Sequence, residues 1–118
     1  MAKIFTEEQL KKIINNYIAK LKGKISIEKA ILYGSYARGT ANENSDIDLL
    51  IISEALPENG LKGANGYYLD NMVQDFNLSL EVIAIHPKNL SNEITKSFYE
   101  EIFATGKVFY PKDKIKAA

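Results

Sequence analysis

The feature that most constrains the fold is an apolar run, Leu49 to Ile52, which closely follows two aspartates. Four consecutive aliphatic side chains without polar alternation are typical of a strand buried on both faces. Such a strand needs helices on both sides of its sheet. Because the chain has 118 residues, the size of one domain, we predict a single domain over residues 1–118, with a polar, frayed tail over about 111–118.

Hydrophobic periodicity and turn residues divide the chain into alternating helices and strands. The first helix is expected to begin at a Thr6 cap, with Gln9 in the capping-box position, and to stop at Gly23. The remaining order predicts an α/β (α+β) domain with a small mixed sheet flanked by helices. The expected strands are 25–33, 46–53, 78–85 and 107–110, the helices are 36–40, 67–76 and 91–105, and the loops are 41–45 and 54–66.

Composition excludes several classes of protein. Fifteen basic and fifteen acidic side chains cancel, so the whole chain has no electrostatic bias toward nucleic-acid backbones. No cysteine is present, which excludes disulfides and thiolate metal sites. No signal peptide is recognisable, and no stretch approaches the ~20 apolar residues of a membrane span. We therefore expect a cytoplasmic protein that does not enter a membrane.

The two acids before the apolar run, Asp46 and Asp48, are the first candidate site residues. Residues two apart on a strand point to the same face. Two carboxylates side by side at a buried strand repel each other and lose hydration unless a cation compensates them. The alternative is a strand that begins at the surface with both acids solvated. We favour metal binding because paired oxygen ligands suit Mg²⁺ beside substrate phosphates.

A turn that could hold phosphate precedes these acids. Gly34 and Ser35 follow a predicted strand and open a short helical turn, where glycine allows close backbone approach and free amides attract anions. A plain strand-to-helix turn would have the same residues. Arg38, in the same turn, is the only arginine among fifteen basic residues, which favours a task for its planar, multi-donor group. It could bind phosphate or brace the turn.

A third acid, Glu81, interrupts the otherwise apolar predicted strand 78–85. Two metal ions in one site need more than two carboxylates, and a glutamate in such a strand is rarely buried without a partner. The alternative places Glu81 outward on an exposed sheet edge. We take it as the candidate third metal ligand.

These residues together resemble the minimal nucleotidyltransferase branch of the polymerase-β superfamily. The resemblance rests on Gly34-Ser35, on Ala37-Arg38-Gly39 and on Ser45-Asp46-Ile47-Asp48-Leu49, and it continues through the strand with Glu81 to the segment 98–110. Many relatives have aspartate where this chain has Glu81, and larger relatives carry a further helical substrate domain.

The resemblance implies a polymerase-β-like nucleotidyltransferase fold and transfer of AMP from ATP to an acceptor hydroxyl, with two Mg²⁺ ions. Asp46, Asp48 and Glu81 would be catalytic and hold the metal, and Glu81 would help deprotonate the acceptor. Gly34 and Ser35 would bind the β- and γ-phosphates, with Arg38 as a further nucleotide-binding residue.

The resemblance also implies a partner. Minimal nucleotidyltransferases are often the antitoxin of a pair with a helical HEPN toxin, in which AMP is transferred to a toxin tyrosine. We expect this role for the chain. A free-standing enzyme acting on small molecules, such as aminoglycosides, and a catalytically silent binding module remain alternatives, and nucleic acid is a less favoured acceptor.

Overall fold

The first helix, α1, spans Glu7–Lys22 and has the predicted ends. The Thr6 hydroxyl accepts a hydrogen bond from the Gln9 amide at 3.1 Å, and the Gln9 side chain accepts one from the Thr6 amide at 2.9 Å. This reciprocal capping box satisfies two amides that an isolated helix start would leave unpaired. Gly23 ends the helix, as predicted.

The computed structural model describes residues 4–58, 69 and 79–111. The predicted helix 67–76, most of the loop 54–66 and the tail beyond residue 111 lie outside the described residues, apart from Leu69, which is buried. The elements after α1 are β1 (Lys29–Tyr33), α2 (Ser35–Arg38), β2 (Ile47–Ile52), β3 (Leu80–Ile85), a 3-10 helix (Pro87–Ser91), α3 (Lys96–Thr105) and β4 (Lys107–Tyr110).

The strands form one mixed sheet in the order β3-β2-β1-β4. β1 runs antiparallel to both β2 and β4, whereas β2 and β3 are parallel. The small mixed sheet predicted from the sequence is therefore confirmed. The most apolar strand, β2, lies between β1 and β3, which is where a strand buried on both faces belongs.

The two faces of the sheet pack against different helices. Leu49 and Ile51 of β2 share a buried cluster with α1, while Leu50 and Ile52 share a second cluster with Tyr99 and Ile102 of α3. Alternate residues of β2 thus enter opposite cores, and each such side chain contributes roughly 1.5–3 kcal/mol by leaving water. The burial of β2 on both faces that the apolar run predicts is confirmed.

Two predicted boundaries were wrong by more than two residues. The strand expected over 25–33 begins at Lys29, because the Ile25 amide bonds back to the Leu21 carbonyl at 3.0 Å and continues the end of α1. The helix expected over 91–105 begins at Lys96, because the Asn92 side chain accepts from the Ile94 amide at 2.9 Å and forms a separate turn. Local side-chain hydrogen bonds of this kind compete with helix formation.

Within the part of the chain that the structure describes, no helix has both the length and the apolar character that crossing a lipid bilayer requires.

Candidate active site

The turn after β1 depends on Gly34 for two separate reasons. Its backbone has φ +79° and ψ −155°, a conformation that only glycine adopts without strain. A Cβ placed on Gly34 would also overlap Oδ2 of Asp48 and lie 3.2 Å from its Cγ. The glycine therefore lets the main chain pass directly beside the Asp48 carboxylate, as close approach at a binding turn requires.

The short helix α2 closes this turn. The Arg38 amide donates to the Gly34 carbonyl at 3.1 Å, and the Thr40 amide donates to the Ser35 carbonyl at 2.9 Å. Gly39 ends the helix in the left-handed conformation. Ser35 is half-buried at the start of the helix and Arg38 is exposed at its end, so both side chains remain accessible to a ligand at the turn.

The ends of three neighbouring strands bring polar side chains into one row. The register pairs Tyr33 of β1 with Asp48 of β2, and Asp48 with Glu81 of β3. Directly paired residues point to the same face and are close enough to interact. Asp46 lies two residues before Asp48, is exposed, and is close enough for its charge to act on Asp48.

Asp48 is the electrostatic centre of this row. Burial, a hydrogen bond with Glu81 and the charges of Glu81 and Asp46 together raise its pKa from the ordinary 3.8 to about 6, against the opposing charge of Arg38. The ionised form of Asp48 is thus disfavoured in the folded protein. A bound cation would reverse this, because it favours the ionised carboxylate.

Two alternatives were given for Glu81, a metal ligand or an outward-facing residue on an exposed sheet edge, and its position has features of both. It is exposed, on a strand at the edge of the described sheet, as the alternative reading expected. It nevertheless lies in register beside Asp48 and interacts with it. The position at the edge leaves Glu81 open to a ligand while its neighbour Asp48 is half-buried.

Whether divalent cations fit this site depends on the carboxylates of Asp46, Asp48 and Glu81. The neighbouring carboxylates supply hard oxygen atoms of the kind that Mg²⁺ binds. Burial and the nearby acids raise the pKa of Asp48, and the charge of a bound cation would oppose both effects. Across the described residues, no set of three or more histidine, cysteine, aspartate or glutamate side chains is already gathered to hold a metal ion. The residues therefore fit a cation in their chemistry, and a closed ligand cage is not preformed.

Tyr33 is a site residue that the sequence analysis missed. Burial raises the pKa of its hydroxyl, and the charges of Asp48, Glu81 and Tyr99 raise it further, so Tyr33 keeps its proton at neutral pH. Its ring meets the ring of Phe98 edge-on, with 6.1 Å between centroids. Its position directly before Gly34, at the end of a predicted strand, was the one signal in the sequence, and its pairing with Asp48 became visible only in the structure.

A cavity of about 180 Å³ adjoins this row, between the turn after β1 and helix α3. Of the predicted nucleotide-binding residues, Gly34 and Arg38 line it. A larger cavity, of about 380 Å³, lies between α1 and β4, and none of the candidate site residues lines it. We therefore place the candidate site at the smaller cavity. Its lining residues are Tyr33, Gly34, Arg38, Phe98, Glu101, Ile102 and Thr105.

Comparison with known proteins gives consistent matches to one family. Residues 8–115 match the family model described as polymerase beta, nucleotidyltransferase. A protein of Methanocaldococcus jannaschii, whose name ascribes to it protein adenylyltransferase activity, is 31% identical over 112 residues, which cover 91% of this chain and 76% of the relative.

Two solved structures share the fold. A Sulfolobus solfataricus protein described as a nucleotidyltransferase superposes with a TM-score of 0.62 at 19% identity, covering 89% of this chain and 83% of its own. A structure described as a toxin-antitoxin with AMP-PNP superposes with a TM-score of 0.51 at 24% identity, covering 79% of this chain and 69% of its own. At these identities the likeness establishes the fold.

Proposed function

We propose that this chain, which belongs to the polymerase beta nucleotidyltransferase family, transfers AMP from ATP to a hydroxyl group of another protein. The family, together with a relative named for protein adenylyltransferase activity, supports the reaction class. The single observation that carries the proposal is the contact of Asp48 with Glu81 directly beside the Gly34 backbone.

The argument from this contact is electrostatic. Two carboxylates at one place, of which one is half-buried, are costly in the free protein. The same pair is suited to divalent cations, which a nucleoside triphosphate brings with it. A strand end with no ligand to bind would be more stable without Asp48, so its presence beside a glycine turn favours a binding role over a structural one.

The proposed site divides the work among its residues. Asp46, Asp48 and Glu81 would hold Mg²⁺, which when bound stabilises the attacking and leaving oxygens of an in-line displacement. The Gly34 backbone and the Ser35 hydroxyl would hold the β- and γ-phosphates.

The remaining groups prepare the acceptor and the leaving phosphates. The acceptor oxygen forms a bond to the α-phosphorus of ATP as the bond to the bridging oxygen breaks, and pyrophosphate leaves. Glu81 is exposed and would take part in removing the acceptor proton. Arg38 is exposed at the same cavity and would bind the triphosphate.

A toxin protein is the acceptor that we favour. The resemblance to minimal nucleotidyltransferases implies a HEPN toxin and a tyrosine on it, and one protein of the same fold was solved as a toxin-antitoxin. We therefore propose that the chain is the antitoxin of such a pair, and that it neutralises the toxin by adding AMP.

The test uses ATP labelled on the α-phosphate and on the base, with the protein, Mg²⁺ and a lysate that contains candidate acceptors. We expect label in a protein band, and its loss in excess EDTA. Glu81→Gln should reduce incorporation by at least about 100-fold. Glu43→Gln, which changes an exposed glutamate outside the site, is the matched control. Label in a small metabolite or RNA would reject the protein acceptor, and full activity of Glu81→Gln or in EDTA would reject the mechanism.

A further inference from the structure

Several residues that line the cavity beside the turn have no role in the proposed binding of phosphate and metal. At about 180 Å³ it is smaller than the ~300 Å³ of sites that enclose drug-sized ligands. It would therefore take one ring system rather than a whole nucleotide. Gly34 and Arg38, on one side of it, belong to the proposed triphosphate site. A base bound here would be linked, through its ribose, to phosphates held at the turn.

Aromatic side chains bound the cavity near the acids. Tyr33 and Phe98 both line it, and their rings are nearly perpendicular, at 87°. Phe98 is 38% exposed, so part of its ring is accessible to a ligand in the cavity. Stacking of a base on such a ring is a common means of nucleotide binding.

The polar groups on the α3 side of the cavity are acceptors of hydrogen bonds. Glu101 contributes a carboxylate. Thr105 lies one helical turn further, and its hydroxyl already donates its proton to the Glu101 carbonyl at 2.9 Å. What Thr105 can still offer a ligand is a lone pair. Side chains four apart on a helix are ~5–6 Å apart at Cβ, so the α3 side presents two acceptors with a gap between them.

We propose that this cavity binds the base of ATP and that Glu101, with Thr105, selects adenine by accepting hydrogen bonds from its exocyclic amine. The two N–H bonds of that amine diverge from one nitrogen, which matches two separated acceptors. The carbonyl oxygen of guanine or hypoxanthine at the same position would face them with its lone pairs. The inference rests on the proposed function and adds the base selectivity that the sequence left open.

Nucleotide binding without any acceptor protein tests this directly. Titrations would use the full chain with Mg²⁺ and ATP, ITP, GTP or the triphosphate of purine riboside, which lacks the amine. We expect ATP to bind about 10- to 100-fold more tightly than the other three, the range for a hydrogen bond to a charged group. Glu101→Gln should bring ATP and ITP to within about threefold of each other, because the amide can also donate to the carbonyl of ITP.

Two further variants separate selectivity from general damage. Glu100→Gln changes an exposed glutamate on the same helix that does not line the cavity, and it should keep the wild-type preference. Phe98→Ala should weaken all four nucleotides about tenfold, with their order unchanged. A structural defect would lower every affinity together without changing the ratio of ATP to ITP.

Three results would overturn the inference. Equal binding of all four nucleotides to the wild type would do so, as would tighter binding of GTP. An unchanged ratio in Glu101→Gln, with loss only of transfer to protein, would instead place the acceptor in this cavity. In each of these cases ATP still binds, so the proposed transfer survives. If no nucleotide binds at all, the proposed function itself fails.

Discussion

Replacing Asp48 by asparagine should make the metal-free protein more stable while abolishing AMP transfer. Burial and the neighbouring acids raise the pKa of Asp48 to about 6 in the folded chain, from 3.8. Ionising it at pH 7 therefore costs more in the folded state than in the unfolded state. Asparagine is uncharged and of similar shape, and its amide can donate to Glu81 in place of the protonated acid.

The size of the effect follows from the two pKa values. Their difference of roughly two, at about 1.4 kcal/mol per pKa unit, gives an upper limit of about 3 kcal/mol. Asp48 is only half-buried, so solvent screening reduces this to about 1–1.5 kcal/mol. In a domain of this size, that corresponds to a rise of about 4–6 °C in Tm.

The pH dependence has a definite sign. Between pH 3.8 and about 6 the folded state holds more protons on Asp48 than the unfolded state does. The contribution of Asp48 to stability thus falls as pH rises through this window, and the whole penalty is present above it. The advantage of Asp48→Asn should be largest at pH 7 and should vanish near pH 4.

Thermal and urea unfolding at pH 7 and pH 4, in EDTA, would measure this. Glu43→Gln is the control, since it removes one exposed acid outside the site and should shift Tm by less than about 2 °C. The electrostatic account of the site would be refuted if Asp48→Asn were less stable than wild type at pH 7. It would also be refuted if the stability gained over wild type were the same at pH 7 and pH 4.

Three further predictions concern other parts of the same reasoning. Mg²⁺ at 100 times its Kd should raise the unfolding free energy of the wild type by about 2.7 kcal/mol, and it should leave the Tm of Asp48→Asn almost unchanged. Gly34→Ala should destabilise by about 1–3 kcal/mol in urea unfolding, from strain at its positive φ, and it should reduce transfer of labelled AMP at least about 100-fold, since its Cβ would overlap the Asp48 carboxylate. Thr6→Ala should lower the unfolding free energy by about 1 kcal/mol, because it removes the capping box. Its transfer rate should be unchanged, and a large loss of activity would show that α1 has a part in the site.

The sequence predicted those features whose causes are local. The capping box of α1 is encoded by two residues three apart, and the alternate burial of β2 by its apolar run. The boundaries that failed depended on contacts that no local pattern reports. Ile25 has high strand propensity, but no strand among the described residues pairs with it, since the register of β1 with β2 begins at Lys29.

The sequence predicted which residues belong to the candidate site better than it predicted how they are placed relative to one another. The glycine turn and the Asp46 and Asp48 pair are close in sequence, so their proximity follows from strand geometry. Glu81 could be suspected from its apolar surroundings alone. Its place beside Asp48, however, depends on β3 pairing in parallel with β2. The roles of Tyr33 and of the cavity depend on where α3 packs, which a single sequence does not specify.

The position of the site follows from how far α3 covers the sheet. On the face that α3 covers, β2 presents Leu50 and Ile52 to Tyr99 and Ile102, whereas one step earlier in the same alternation it presents Asp48. An aliphatic residue at position 48 would extend the core and would avoid the cost of ionising a half-buried carboxylate. The chain instead has a charge where the helix no longer excludes ligand, beside a glycine that leaves room for it. A bound cation would offset the stability lost at Asp48 in the free protein, because it favours the ionised carboxylate. Stability in EDTA and affinity for Mg²⁺ should therefore change in opposite directions in any variant that alters this carboxylate alone.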